Sequence, residues 1–467
     1  MAICGTCWQR NAGATAWLGA RKHRRARLGV MFHLGWFMGS GFSVQTWALD
    51  PWAGNTGHDW MNGDLFVDLA AALERARFDY LLVEDTSMVE DAYGRSMETT
   101  LKYGLLAPKS DPVPLIPLLT QRTKHIGIAV TLSTSFYHPF MAARTLTTLD
   151  HLTEGRVGVN VVTGSSSRAA QQYGYDMLMP HSERYEMAKE WMEAVGALWD
   201  SWEDGAVLVD QETPRYADHT KVHPVDFEGK YFRTRGPLNT IPGPQRRPVI
   251  VQAGASPAGR DLAAKYAESM LAHGTSIEQM KAFRQDMHSR MKEYGRDPGT
   301  LKILFLIDPV LGDTDRVAQA RVADMQAARW SDHAIERGLW GLSYTSGGEF
   351  DFSTFDLDKE VPDVWGNGET STLRTFIEGA RGKTLREAIA TVDTHAGLAF
   401  VGSPDTVASK MGEAMEEIGG DGFLMSPTVT RRNIAEIADG LAPALRKRGL
   451  IRDGYNHSTF RENLLEF

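Results

Sequence analysis

Cysteine is nearly absent from this chain of 467 residues: there are two, Cys4 and Cys7, in the run CGTC. One CxxC supplies half of a tetrahedral zinc site, and no second pair exists to complete it. No strand leads into the motif as a thioredoxin-like redox centre requires. The rest of the chain has no disulfide available to it, which fits a reducing cytoplasm. Basic charge is also short. Fifty Lys and Arg against 59 Asp and Glu give a net charge of -9, the wrong sign for a nucleic-acid partner. No stretch approaches the roughly 18 uninterrupted apolar residues of a membrane span. No G-x-G-x-x-G turn follows a strand, no H-E-x-x-H pattern occurs and the histidines are scattered, so no metal set is expected. "GASPAG" (254–259) holds a Ser without the G-x-S-x-G spacing of a nucleophile elbow. Acid is missing from residues 1–28, which carry Arg10, Arg21, Lys22, Arg24, Arg25 and Arg27. That basic extension reads either as a targeting peptide without a secretory apolar region or as the product of a start site placed upstream of Met31. It is expected to be disordered and outside the chemistry.

From residue 29 onward the chain alternates. Short β-branched runs, "GVMFHLGWF" (29–37), "DYLLVED" (79–85), "IGIAVTLS" (126–133), "RVGVNVVT" (156–163), "PVIVQAG" (248–254), "SMLAHG" (269–274), "LKILFLIDPVLG" (301–312) and "DGFLMSP" (421–427), read as strands buried on both faces. Helical periodicity separates them, as at 63–78, 114–125, 140–155 and 181–202. Eight strand–helix units predict parallel strands with right-handed crossovers. The expected fold is an α/β (β/α)8 barrel spanning 29–467 as a single domain, enlarged by excursions at about 203–246 and 330–395.

In such a barrel the chemistry lies at the C-terminal ends of the strands. Those ends hold amides, hydroxyls and aromatics: His33 and Trp36; Glu84, Asp85 and Thr86; Ser133, Thr134, Tyr137 and His138; Asn160 and Thr163; and Gln252 through Ser256. Neutral polar groups around an apolar floor suit a large heterocycle. In "QAGASPAGRDL" a strand ends in small residues and a helix begins at once, with Ser256 as N-cap and Pro257 at the first helical position. The free N–H groups and dipole there favour an anion such as phosphate, although a tight capped turn is the plainer reading. Asn160 lies inside a buried strand, where an unpaired amide costs about 1–3 kcal/mol, so either the backbone or a ligand must meet it.

Taken together, "VEDT", "TLSTSFYHPF", "AARTLTTLDHLTEGRVGVNVVT", "HSERY", "VHPVDFEGKYFRTRGPLN", "RPVIVQAGASPAGRDLAAKYAE" and "GDGFLMSP" resemble the bacterial luciferase-like flavin monooxygenases. The likeness is strongest to the branch of nitrilotriacetate monooxygenase and dibenzothiophene sulfone monooxygenase, and runs from about residue 30 to the end. The tail "GYNHSTFRENLL" resembles that branch's closing element, with Phe460 in place of Leu.

The resemblance implies a luciferase-like TIM barrel holding FMN non-covalently. Asp85 would stand beside the isoalloxazine. Ser133 and Thr134 would lie at a bulge beneath it, where the superfamily often has a non-prolyl cis peptide. Asn160 would bond the ring or ribityl chain, His181 and Tyr185 would line the ribityl-phosphate side, and Gly254, Ala255 and Ser256 would hold the phosphate. His33, Trp36, Tyr137 and His138 are candidates to line the substrate pocket or neighbour the activated oxygen. Reduced FMN would come from a separate NAD(P)H-dependent flavin reductase, with O2 as co-substrate. Residues 330–395 would form a lid. The aromatic run at 32–55, with Trp36, Phe37, Phe42, Trp47 and Trp52, is expected in part to wall a pocket for a flat aromatic or heteroaromatic substrate: a sulfone, an N-heterocycle, a chlorinated aromatic or a flavin such as riboflavin. The alternatives are an F420-dependent dehydrogenase on the same barrel and a non-catalytic flavin-binding protein. A cytoplasmic homodimer or homotetramer is expected.

Overall fold

The computed structural model describes residues 30–45, 47–48, 58–392 and 397–467. The basic extension with its CGTC motif, Trp52, and the last part of the 330–395 excursion lie outside them. Eight parallel strands close into a barrel: β1 (His33–Met38), β2 (Tyr80–Val83), β3 (Gly127–Ser133), β4 (Val157–Val162), β5 (Val249–Gln252), β6 (Ser269–Ala272), β7 (Lys302–Ile307) and β8 (Gly422–Met425), with β8 pairing to β1. Helices pack outside, among them α1 (Asp64–Ala76), α2 (Pro139–Leu152), α3 (His181–Trp199), α4 (Pro257–Tyr266), α5 (Ile277–Glu293) and α6 (Asp315–Ala328). Among the described residues no helix is long and apolar enough to cross a membrane.

Side chains alternate across each strand, so one parity faces the helices and the other the barrel axis. Leu34, Trp36 and Met38, Ile128, Val130 and Leu132, and Val157, Val159 and Val161 join the large outer core between strands and helices. Tyr80, Leu82, Ala129, Val249, Val251, Leu271, Leu304, Leu306 and Leu424 fill the axis. The C-terminal segment closes the N-terminal end of this inner core with Phe460 and Leu464. Phe460 sits so near the strands that a Cβ on Gly127 would lie 2.4 Å from its ring, and one on Gly158 2.8 Å. Below it, Asp79 faces His33 at 3.1 Å and Arg452 at 2.6 Å, and Arg452 also reaches Glu466 at 3.0 Å. Burial alone would raise the Asp79 carboxyl, but His33 and Arg452 hold it below the usual range.

Two expected elements are shorter than their apolar runs. The helix expected at 114–125 covers Leu115–Thr120. The strand expected at 301–312 breaks at Asp308-Pro309, and Val310–Leu311 pairs instead with Val401–Gly402 outside the barrel. The 203–246 excursion holds two short hairpins, one of them at Phe227–Glu228 and Arg233–Thr234. Residues 332–391 are not a bare loop. Helices α7 (Asp332–Thr345), α8 (Thr370–Gly379) and α9 (Leu385–Thr391) bury Leu339, Phe352, Phe376 and Leu385 in a hydrophobic cluster of their own. Another helix, α10 (Pro404–Ile418), returns the chain to β8.

Candidate active site

The C-terminal ends of the strands surround a cavity of about 620 Å³, well within the roughly 300–1,000 Å³ of small-molecule sites. Inward-facing residues make its floor: Phe37 on β1, Thr131 and Ser133 on β3, Asn160 and Val162 on β4, Leu271 and Leu306 on β6 and β7. Asn160 follows from strand parity, since its outward neighbours Val159 and Val161 pack on the helices while its amide points to the axis. Asn160 Nδ2 donates to Thr131 Oγ1 at 2.9 Å, and that hydroxyl donates to the Val83 carbonyl at 2.8 Å. Half of the amide is thereby satisfied by the protein. Its Oδ1 is buried without a partner, as is Ser133 Oγ. Both residues line the cavity, so two unpaired polar atoms stand where a ligand can meet them.

At the opposite wall β5 runs into α4 as the sequence predicts. Ser256 Oγ accepts from Gly259 N at 3.1 Å, and Pro257 opens the helix. Gln252 Oε1 accepts from Gly254 N at 2.7 Å. A Cβ on Gly254 would lie 2.5 Å from Gln252 Nε2 and 2.6 Å from the Tyr185 hydroxyl, so this approach requires glycine. The Tyr185 hydroxyl meets Ser256, Gln252 and Thr163, and burial raises its pKa. His181 packs on Tyr185 with ring centroids 4.9 Å apart; burial first, then Arg184, makes it harder to protonate. Arg184 also lines the cavity and is buried.

The third wall is acidic. Burial pushes the Asp85 carboxyl up to about 7; Lys109 opposes the shift, and Glu84 and Asp111 add to it. Glu84 itself is paired with Lys109, whose ammonium also donates to Thr86 at 2.8 Å. Above, Phe136 stacks on Tyr173 at 4.4 Å with nearly parallel planes. The Tyr344 hydroxyl, brought over by α7, is 2.8 Å from Ser165 Oγ, and its ring stacks on Trp340. The segment 368–372 completes the rim.

Of the residues singled out in the sequence, Asp85, Ser133, Tyr137, Asn160, His181, Tyr185, Gly254, Ala255 and Ser256 come together around the cavity. Four do not. His33 faces the axis, but β1 begins at His33 rather than ending near it, so the ring lies at the opposite end of the barrel, stacked on Phe467 at 4.2 Å. Trp36 has the wrong parity and is fully buried among the outer helices. His138 caps α2, accepting from Phe140 N at 3.2 Å, and turns its ring toward Phe232. Thr134 is buried with its N–H and hydroxyl both donated to the Val162 carbonyl, at 2.8 and 3.3 Å. The Ser133–Thr134 peptide is trans; the cis bonds among the described residues precede Pro108 and Pro237. The aromatic run at 32–55 contributes only Phe37 among the described residues. Phe42 packs in the outer core, and Trp47 is exposed with its indole N–H on the Tyr103 carbonyl.

Gln252 and Phe136, which stand at strand ends, also line the cavity, as do Thr131, Tyr173 and Tyr344, which were not singled out. Thr131 carried a signal, being two residues before Ser133 on the same face. Tyr344 carried none, because only the tertiary placement of α7 brings it to β4.

The family profile described as luciferase-like monooxygenase matches residues 43–422. The chain belongs to that family. A long-chain alkane monooxygenase of Geobacillus thermodenitrificans is 35% identical over 411 residues, covering 88% of each chain. The dibenzothiophene-sulfone monooxygenase of Rhodococcus erythropolis is 32% identical over 416 residues, covering 87% of this chain and 90% of its own, in agreement with the branch named from the motifs. A crystal structure of riboflavin lyase with modified FMN and riboflavin superposes with a TM-score of 0.82 at 28% identity, over 94% of this chain and 96% of that one. As a luciferase-like monooxygenase of this branch, the protein is a flavin-dependent monooxygenase. The hydride-transferring F420 alternative and the non-catalytic one give way to that assignment.

Proposed function

We propose that the cavity binds reduced FMN delivered by a separate NAD(P)H-dependent reductase, and that the enzyme oxygenates a flat aromatic or heteroaromatic substrate. The observation that carries this reading is the pairing of an unsatisfied floor with a glycine-lined helix N-terminus. Asn160 Oδ1 and Ser133 Oγ are buried acceptors and donors suited to the polar edge of a heterocycle. At the other wall Gly254, Ala255 and Ser256 leave room for an anion beside the first turn of α4, with Tyr185 and His181 alongside. These residues fit FMN: Asp85, Ser133 and Asn160 at the ring, His181 and Tyr185 along the ribityl chain, 254–256 at the phosphate. Reduced FMN supplies the electrons that activate O2.

The chain's own part is binding, orientation and exclusion of water. Asp85, with its carboxyl near neutrality, can hold or release a proton at the ring edge. Phe37, Leu271 and Leu306 keep the floor apolar. The Phe136–Tyr173 stack, Tyr137 and Tyr344 form an aromatic wall, with Met88 beside it, against which a planar substrate can lie. This wall, rather than the 32–55 run, supports the sulfone, N-heterocycle, chlorinated-aromatic or flavin substrates. The acidic, cysteine-poor composition supports a cytoplasmic location, and a homodimer or homotetramer is the assembly we assign. The test is a substrate screen with FMN, NADH and a flavin reductase, following incorporation of labelled oxygen from O2. Planar heteroaromatics should be turned over in preference to long-chain aliphatics of similar mass. The reverse order would sink the aromatic assignment.

A further inference from the structure

Arg184 is only 1% exposed, and no carboxylate pairs with it among the described residues. Buried arginines without an acidic partner are costly, because the charge loses its hydration. What this one does have is a set of bonds to Met179, just before α3, and to Asn367 in the connection between α7 and α8. Nη1 donates to the Met179 carbonyl at 2.7 Å and to Asn367 Oδ1 at 3.2 Å, and Nη2 donates to the Asn367 carbonyl at 2.9 Å. Asn367 returns its Nδ2 to the carbonyls of Leu178 and Met179, at 3.2 and 3.0 Å. The neighbouring Gly366 and Gly368 lie against the end of α7, where a Cβ would meet Ser346 O at 2.1 Å or Gly347 N at 2.4 Å. Two sides of the guanidinium thus strap down the segment that forms the cavity rim. The third donor, Nε, is buried without any acceptor.

We propose that Arg184 is a positioning residue that couples the cofactor's phosphate to the rim: an anion seated beside the α4 N-terminus balances the guanidinium and takes its Nε–H, and the two Nη groups then fix Asn367 and residues 366–372 over the bound ring. The proposal rests on the flavin reading above. It makes the phosphate more than an anchor, since a ligand stabilises the closed rim only through an interaction that the open rim lacks. By reciprocity, fixing the rim tightens the anion's hold.

Hydrogen exchange of the full chain, alone and with saturating inorganic phosphate, riboflavin or FMN, tests this. FMN should slow the amides of 366–372 by about fivefold or more, phosphate should slow them in part, and riboflavin should leave them unchanged. In Arg184→Lys, which keeps a charge and loses the fork, FMN should no longer protect 366–372, while exchange in the barrel strands stays as in the wild type. If Arg184→Lys fails to fold, the comparison of the three ligands on the wild type decides. Equal protection by riboflavin and FMN, or protection retained in Arg184→Lys, overturns the coupling. FMN bound with no effect on 366–372 overturns it too and leaves the flavin site standing. No binding of FMN at all removes the flavin reading itself.

Discussion

The two ends of the barrel use the same kinds of side chain to opposite ends. At the N-terminal end Asp79 is buried between His33 and Arg452, and Arg452 also reaches the half-buried Glu466, under the plug of Phe460. At the C-terminal end Asn160, Ser133 and Arg184 are also buried, yet each keeps a polar atom for which the chain supplies no partner. The first end is tied together by ion pairs within the protein, although Arg452 Nε has no acceptor there, whereas the unpaired atoms of the second belong to residues that line a cavity. An unpaired buried atom therefore points to a ligand only where its residue lines a cavity, which those of His33 and Arg452 do not.

That contrast can be broken from either side. The largest effect is expected at the closed end. Asp79→Ala strands Arg452 and His33 in the core and should cost about 3–5 kcal/mol in denaturant unfolding, with FMN affinity unchanged wherever the variant is folded. Phe460→Ala opens a cavity on the barrel axis and should cost about 3–5 kcal/mol by the same assay, again sparing the flavin. At the open end the pattern reverses. Gly254→Ala drives a methyl into Gln252 and Tyr185 and should weaken FMN binding by about 10- to 100-fold, read by fluorescence quenching, with a smaller loss of stability. Asn160→Leu removes an acceptor that has no partner; stability should stay within about 1 kcal/mol while FMN affinity falls about tenfold.

A further effect concerns pH. The folded Asp85 carboxyl titrates near 7, against 3.8 ordinarily, because burial penalises its charge. Between these values the folded state binds more protons than the unfolded one. Asp85 therefore contributes a stability that is fully present below about pH 4, declines as the pH rises through 7, and is gone above it. Asp85→Asn should flatten that part of the stability-against-pH curve. An unchanged curve would mean that Asp85 ionises normally.

The strand order and most of the site were legible because they depend on local patterns. Continuous apolar runs separated by helical periodicity gave the barrel, and the Gln252 to Pro257 turn announced its own capped helix. Strand parity was also readable. Applied to β1 it would have turned Trp36 outward and Phe37 inward, but the strand was begun four residues too early, and this placed His33 at the wrong end of the barrel. The aromatic wall was not legible. Phe136, Tyr173 and Tyr344 come from three separate connections, and nothing in their local sequence records that they meet. Within the lid expected at 330–395, residues 332–391 hide their apolar residues at helical spacing among Gly, Asp and Thr, and so conceal a small core.

The most direct test is an anaerobic titration of reduced FMN against the wild type, Gly254→Ala and Phe460→Leu. The account predicts saturable binding to the wild type, the same affinity in Phe460→Leu, and a loss of about tenfold or more in Gly254→Ala. Equal binding by all three proteins, or a loss in Phe460→Leu as large as in Gly254→Ala, would contradict the assignment of the flavin to the C-terminal end of the barrel.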